Sequence, residues 1–348
     1  MKLLIVSNNP NRGSFRDRIS GYFNMMAARG ITHTIEVPDK SLTKRIRQYE
    51  RLDHYDVILL HKRTFPLFDA LFFRPRKAKV VFNYDDAILF SDRGVATLTH
   101  RQRFRRSLRA ADVVLVGSSY LAQLAAPYHD DIRILPLGLQ TKKYGCDGKR
   151  QDGKVRLVWV GRPVTLEYIE LLRPVIRKLA GQYPNLVLRL VCEEFIDIEG
   201  VVIEKIRWTP EVRYRALAEA DIGLAPLPDN PFTRGKCTFK VLEYSASGLP
   251  VVASPIGTNA DHVRDGVTGY LAATPDQWLA KLKTLLDDPT LRNDMGARGR
   301  EHAKEFDSAI IGEKLCDLLL ETAGRSSQDT TGQATVPSPI TSQLRGSG

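Results

Sequence analysis

Short, wholly apolar runs alternate with amphipathic stretches along the chain. Leu-Leu-Ile-Val at 3–6 is the first such run, with others at 57–60 and Val113–Val116, and strand-like stretches broken by one or two polar residues lie at 34–37, 79–82 and 132–135. Runs apolar on both faces read as strands of a parallel sheet covered on each side. Helical spacing occupies 101–111 and 120–128. Ile19, Tyr22, Phe23 and Met26 share one face of an earlier helix, which Ser14 would cap and Gly30 would close. The pattern halts at the polar stretch 145–153 and then restarts. Strands are expected at Val155–Val160, 186–191, 222–227 and 250–254, with helices at 166–179, 211–220, 275–286, 289–306 and 308–322. Two such blocks predict an α/β chain of two Rossmann-like βαβ domains, residues 1–145 and 154–323, facing each other across a cleft. From about residue 325 the sequence is polar and almost free of large apolar groups, so residues 324–348 are expected to be a disordered tail.

Charge changes the picture of the first half. Residues 1–150 hold 27 Lys and Arg against 14 Asp and Glu, and the remainder holds 24 against 26. The net charge of +11 therefore comes from the first block, which should be drawn to phosphates, an acidic acceptor or an anionic membrane surface, or else simply be solvated. Arg101, Arg103, Arg105, Arg106 and Arg109 crowd one predicted helix, with the same two readings. Phe104 is the only aromatic among them, so the aromatic interleaving of a nucleic-acid binder is missing and no nucleic-acid partner is expected. Four cysteines without a paired spacing and seven histidines without ligand spacing imply no metal site and point to a reducing cytoplasm. The first residues are too short for a signal peptide, and no run is long enough to span a bilayer. Membrane contact would be peripheral, on the inner face.

Candidate chemistry concentrates between residues 233 and 257. Arg234, Lys236, Lys240 and Glu243 fall around the start and first turns of a short helix, ahead of the strand at 250–254 and a turn at Gly257. A helix start presents unpaired N–H groups and a partial positive charge, which suit a diphosphate. Lys236 and Lys240 are four apart and share a face. Glu243 lies among Val241, Leu242 and Tyr244, where a carboxylate needs a partner, and a ribose diol would supply one. Asp85 and Asp86 follow the strand at 79–82. They would either orient or deprotonate an acceptor hydroxyl, or cap a helix at the turn.

The segment 234–255, with Ala-Asp-Val-Val-Leu-Val-Gly-Ser-Ser at 111–119, Ile-Leu-Pro-Leu-Gly at 134–138, Trp-Val-Gly-Arg-Pro at 159–163 and Gly-Val-Thr-Gly-Tyr-Leu at 266–271, resembles the GT-B glycosyltransferases, most of all the retaining family 4. The order of these phrases carries the resemblance, over most of residues 1–323. It implies a nucleotide-diphosphate sugar donor (a UDP- or GDP-sugar) in the second domain and a saccharide or lipid-linked acceptor at the first. It implies no metal or other cofactor, and a last helix that crosses back to the first domain. By the same resemblance Arg162, beside Gly161, would meet the diphosphate with Lys236, while Gly13 would let the first loop close over the phosphates. The family's usual signature has two glutamates eight positions apart. The second matches Glu243, but Gly235 stands at the first, so the motif speaks for the nucleotide more than for the transferred sugar. The function so implied is hexosyl transfer with retention, in polysaccharide, lipopolysaccharide or glycolipid synthesis. A catalytically silent sugar-nucleotide binder and a 2-epimerase on the same fold are the rival readings.

Overall fold

A computed structural model describes residues 1–145, 148 and 152–324. The first sheet contains β1 (Lys2–Ser7), β2 (Thr32–Glu36), β3 (Val57–His61), β4 (Lys79–Tyr84), β5 (Val113–Val116) and β6 (Ile132–Ile134). All pairings are parallel, in the spatial order β2-β1-β3-β4-β5-β6. Because side chains alternate along a strand, the apolar runs feed two cores. Leu4, Val6, Ile58, Leu60, Val80 and Phe82 pack on one face, and Leu3, Ile5, Val57, Leu59 and Val81 on the other. Continuous apolar strands are what a sheet buried on both sides demands.

The second sheet comprises β7 (Val155–Val160), β8 (Leu186–Cys192), β9 (Val202–Arg207), β10 (Ile222–Ala225), β11 (Val251–Ala253) and β12 (Gly269–Leu271). It is also wholly parallel, in the order β12-β11-β10-β7-β8-β9. Its edge strands escaped the hydrophobic pattern. β9, Val-Ile-Glu-Lys-Ile-Arg, mixes charged and apolar residues and none of them is fully buried, and β12 has only three residues. In β12, a Cβ on Gly269 would lie 2.1 Å from the Val251 carbonyl oxygen, so glycine is required for the pairing.

Three expected elements are revised. The helix at 166–179 is broken into Leu166–Glu170 and Arg173–Ala180, because Pro174 cannot donate to a continuing helical ladder. The first helix is split into Gly13–Arg18, a 3₁₀ turn and Phe23–Ala28, and Arg12, not Ser14, occupies its N-cap. The last α-helical turn of the 289–306 segment ends at Ala303 and continues as a 3₁₀ turn to Phe306. The expected tail falls outside the described residues, except Gly324, which instead ends the Ser308–Gly324 helix.

That final helix returns to the first sheet. Ile311, Leu315, Cys316 and Leu319 enter its core, and Gly312 lies where a Cβ would come within 2.7 Å of the Tyr22 ring. Leu139 ties the return at both ends: its N–H donates to Phe306 O at 3.0 Å, and Ser308 N–H donates to its carbonyl at 2.8 Å. The two sheets also meet at residues 230–237. Tyr120 Oη donates to Pro231 O at 3.2 Å, and Phe232 and Cys237 pack on the core of the first sheet.

Candidate functional site

The helix that carries Glu243 spans Phe239–Ala246, with Thr238 at its N-cap position. It begins later than the sequence implied. Arg234 sits in a 3₁₀ turn, Thr233–Gly235, and Lys236 is extended, so both precede the helix. The Gly257 turn supports this loop: at φ +59°, a Cβ there would approach the Lys236 and Thr233 carbonyls within 2.9 Å. Thr258 adds the fastening, its Oγ1 accepting from Thr238 N–H at 2.7 Å.

Three cations gather at the helix start without a carboxylate in ion-pair reach among the described residues. Lys236 Nζ lies 4.9 Å from the centre of the Tyr168 ring and 5.4 Å from that of Phe232. Burial lowers its pKa, with Asp86 acting in opposition and Arg162 in support. Lys240 Nζ is 4.8 Å from the Trp159 ring centre, and burial, reinforced by Lys236, pushes its pKa down to about 7. Arg162 follows β7 with an exposed side chain, while its backbone exchanges two hydrogen bonds with Thr165 Oγ1. The tight turn before it needs Gly161, where a Cβ would fall 2.2 Å from the Trp159 ring.

Arg234 does not join this group. Its guanidinium makes two bonds to Asp229, at 2.6 and 3.0 Å, beside a cavity of about 240 Å³ lined by Ser118–Tyr120, Pro255–Gly257 and Asp261. Gly13, on the opposite sheet, starts the Gly13–Arg18 helix in open surroundings, where a Cβ would meet nothing nearer than 3.7 Å. No contact within the protein therefore requires a glycine at this position.

Glu243 is buried, as its apolar neighbours implied, but the partner it needs is supplied by the protein. Tyr144 Oη donates to its Oε1 at 2.9 Å, and Arg213 Nη1 lies 2.8 Å from the same oxygen. Burial raises the Glu243 pKa, and Arg213 and Tyr144 oppose the rise. Neither Arg213 nor Tyr144 carried a motif signal.

Across the seam, Asp85 and Asp86 directly follow β4. No helix starts there, since the next begins at Leu98 under Thr97, so helix capping is excluded. The two carboxylates share Lys62 instead: Nζ lies 2.5 Å from Asp85 Oδ1 and 2.6 Å from Asp86 Oδ2. Lys62 has φ +50°, a left-handed conformation that costs a side-chain-bearing residue about 1 kcal/mol or more. Burial pushes the Asp85 pKa up, but Lys62, Arg18 and His61 together leave it below the usual carboxylate value. An acid so held is a poor proton acceptor and a good hydrogen-bond acceptor for a hydroxyl. Burial also pushes His61 down to about 4, which keeps its ring neutral at pH 7. Buried Arg18 leaves Nε and Nη2 without hydrogen-bond partners among the described residues, as does Asn83 Nδ2.

The missing glutamate has a steric cause. Gly235 is buried in the seam, where a Cβ would stand 2.4 Å from Ala87 Cβ and 3.0 Å from Leu121 Cδ2. Cys237 fills the next place, its Sγ 2.2 Å from where a Gly117 Cβ would be. No glutamate fits at 235 with the two sheets seated in this way. Among the described residues no three His, Cys, Asp or Glu side chains cluster for a metal, and no helix is long and apolar enough to cross a membrane.

Comparison with known proteins agrees with this geometry. Residues 154–288 match the family model described as Glycosyl transferases group 1. A D-inositol 3-phosphate glycosyltransferase from Thermobispora bispora is 33% identical over 147 residues, covering 41% of this chain and 32% of that protein. Across four relatives of that name the chain spans only 18% to 32% of the relative's length. Among solved structures, sucrose-phosphate synthase from Thermosynechococcus elongatus aligns with a TM-score of 0.71 at 17% identity, covering 92% of this chain and 98% of that one. HepE of Anabaena in complex with UDP-glucose aligns with a TM-score of 0.68 at 15% identity, covering 92% and 100%. The fold is GT-B, and its second half carries a glycosyl transferases group 1 domain.

Proposed function

We propose that this GT-B chain moves a hexose-type residue from a nucleotide-diphosphate sugar to an acceptor hydroxyl, with residues 1–145 as acceptor domain and 154–323 as donor domain. One observation carries the reading: Arg162, Lys236 and Lys240 stand unneutralised at the start of the helix that bears Glu243, facing Asp85 and Asp86 across the seam. A diphosphate completes that charge balance. HepE, of like fold, binds UDP-glucose, which favours UDP as the carrier.

In the proposed reaction the acceptor oxygen bonds to the anomeric carbon on the face from which the diphosphate leaves, so configuration is retained. The carbon–oxygen bond to the diphosphate breaks, and the acceptor proton passes to the departing diphosphate oxygen. Arg162 and Lys236 meet the charge that grows there. Asp85 or Asp86 accepts a hydrogen bond that aims the acceptor hydroxyl. Lysine and arginine do what a divalent ion would do in this scheme, so the proposed transfer survives chelation. The acceptor is a saccharide or lipid-linked chain of a surface polysaccharide, lipopolysaccharide or glycolipid. A peripheral site on an anionic membrane is consistent with exposed Leu67, Leu71 and Phe72, on a helix packed beside the arginine-rich Leu98–Arg109 helix.

The test is slow release of nucleoside diphosphate from a panel of UDP-, GDP- and ADP-sugars, with and without chelator. Release from one donor class supports transfer. Tight binding without turnover of any donor would identify a silent sugar-nucleotide binder instead.

A further inference from the structure

Glu243 is held from two directions by residues far apart in sequence. Arg213 belongs to the Pro210–Ala218 helix of the second sheet's block. Its guanidinium is walled by rings, with the Tyr214 centre at 4.8 Å, Trp208 at 5.9 Å and Tyr144 at 6.0 Å. Nη2 bonds to Tyr214 Oη at 3.0 Å, and Nη1 faces Glu243. Tyr144 lies where the chain leaves the first sheet's block for the second. The turn before it is pinned by Asp307, whose Oδ2 accepts from Thr141 N–H at 3.2 Å, just ahead of the returning final helix. Thus the crossover that joins the two blocks fixes the tyrosine hydroxyl against the glutamate.

We propose that Arg213 and Tyr144 are positioning residues, which hold the Glu243 carboxylate aimed at the ribose diol of the donor nucleotide. The proposal rests on the donor-site reading above. Both contacts fall on Oε1, and Oε2 accepts no hydrogen bond from the described residues. A carboxylate has about four lone-pair sites, so room for two hydroxyls remains after the protein has fixed its plane. An unheld glutamate in this apolar setting would swing toward Lys240 or take up a proton. Asp17 and Lys240 also act on its charge, with opposite signs, and the ion pair with Arg213 outweighs either.

Affinities of a nucleoside diphosphate and its 2′-deoxy form, using whichever of UDP or GDP binds the wild type more tightly, test this by titration calorimetry. The wild type should prefer the ribose form by about tenfold, the scale of one hydrogen bond to a charged group. Tyr144→Phe and Arg213→Gln should erase most of that preference with little change in 2′-deoxy affinity, and Arg213→Lys should restore part of it. Should Arg213→Gln fail to fold, Tyr144→Phe, which removes one oxygen atom, carries the test. A wild-type ratio retained in the variants overturns the positioning role. No ribose preference in the wild type overturns the ribose assignment itself, and this inference with it, while leaving diphosphate binding by the cations intact.

Discussion

The two sides of the seam both bring lysine and carboxylate together, yet they handle charge oppositely. Just after β4, Lys62 is shared between Asp85 and Asp86 and the buried Arg18 also acts on Asp85, so that side is neutralised from within. At the Phe239–Ala246 helix, Lys236 and Lys240 rest on aromatic rings, and Glu243 is taken up by Arg213. That side is left with surplus positive charge. A surplus held at a partly desolvated helix start is suited to a diphosphate, whereas a self-paired cluster is suited to neutral hydroxyls. The difference supports the proposed placement of the donor on the second side and the acceptor on the first, without reference to any single motif.

Removing the surplus gives the largest expected effect. Arg162→Ala and Lys236→Ala should each lower kcat by about 10²–10³, as does loss of a group that stabilises a developing anion. Initial rates of nucleoside diphosphate formation measure this, and a loss under tenfold in both variants would remove the surplus from the chemistry. On the paired side, Asp85→Asn keeps shape but loses charge. Transfer to an acceptor should drop about tenfold while slow donor hydrolysis persists. Parallel loss of both activities would show that the cluster serves the donor too.

Gly235→Glu probes the seam between the two sides. Restoring the family's glutamate at a buried contact should lower stability by about 1–3 kcal/mol, read from the denaturant midpoint, unless the sheets move apart to admit it. An unchanged midpoint would show that the closed seam is not the dominant state. A pH-dependent component of stability concerns Lys240. Its folded pKa, about 7, lies below the ordinary lysine value of 10.5, so the unfolded chain binds the extra proton between the two. Stability of the ligand-free protein should therefore rise as pH increases from about 7 toward 10, and this component should vanish in Lys240→Met. Thermal midpoints of both proteins across that range give the comparison. Identical slopes would mean that Lys240 is hydrated and titrates normally.

Much of this molecule is legible in its sequence because parallel strands covered on both faces are apolar at nearly every position, the buried Arg156 of β7 and Arg189 of β8 being paired with Glu204. β1, β3, β4, β5, β7, β8 and β10 all announce themselves that way. β9 and β12 do not, since edge strands relax the requirement. Arg162 and Lys236 were readable from their place beside a glycine turn and ahead of a helix. Arg234 was misplaced with them, because the nearby Asp229 that captures it has no motif signature. Arg213 and Tyr144 were invisible for a similar reason: each acts through contacts 30 and 99 positions away along the chain.

Local hydrophobic period and turn chemistry, then, determined by themselves that the chain forms two βα sheets with a cationic helix start in the second. They act over a few residues and need no knowledge of partners. Only the tertiary structure decided how charge is allotted. Whether a buried lysine or glutamate is free for a ligand depends on which distant side chain reaches it first. Gly235 shows the same rule in steric form. Its lack of a side chain looks like a departure from pattern in sequence, and in the seam it is the condition for the two sheets to meet.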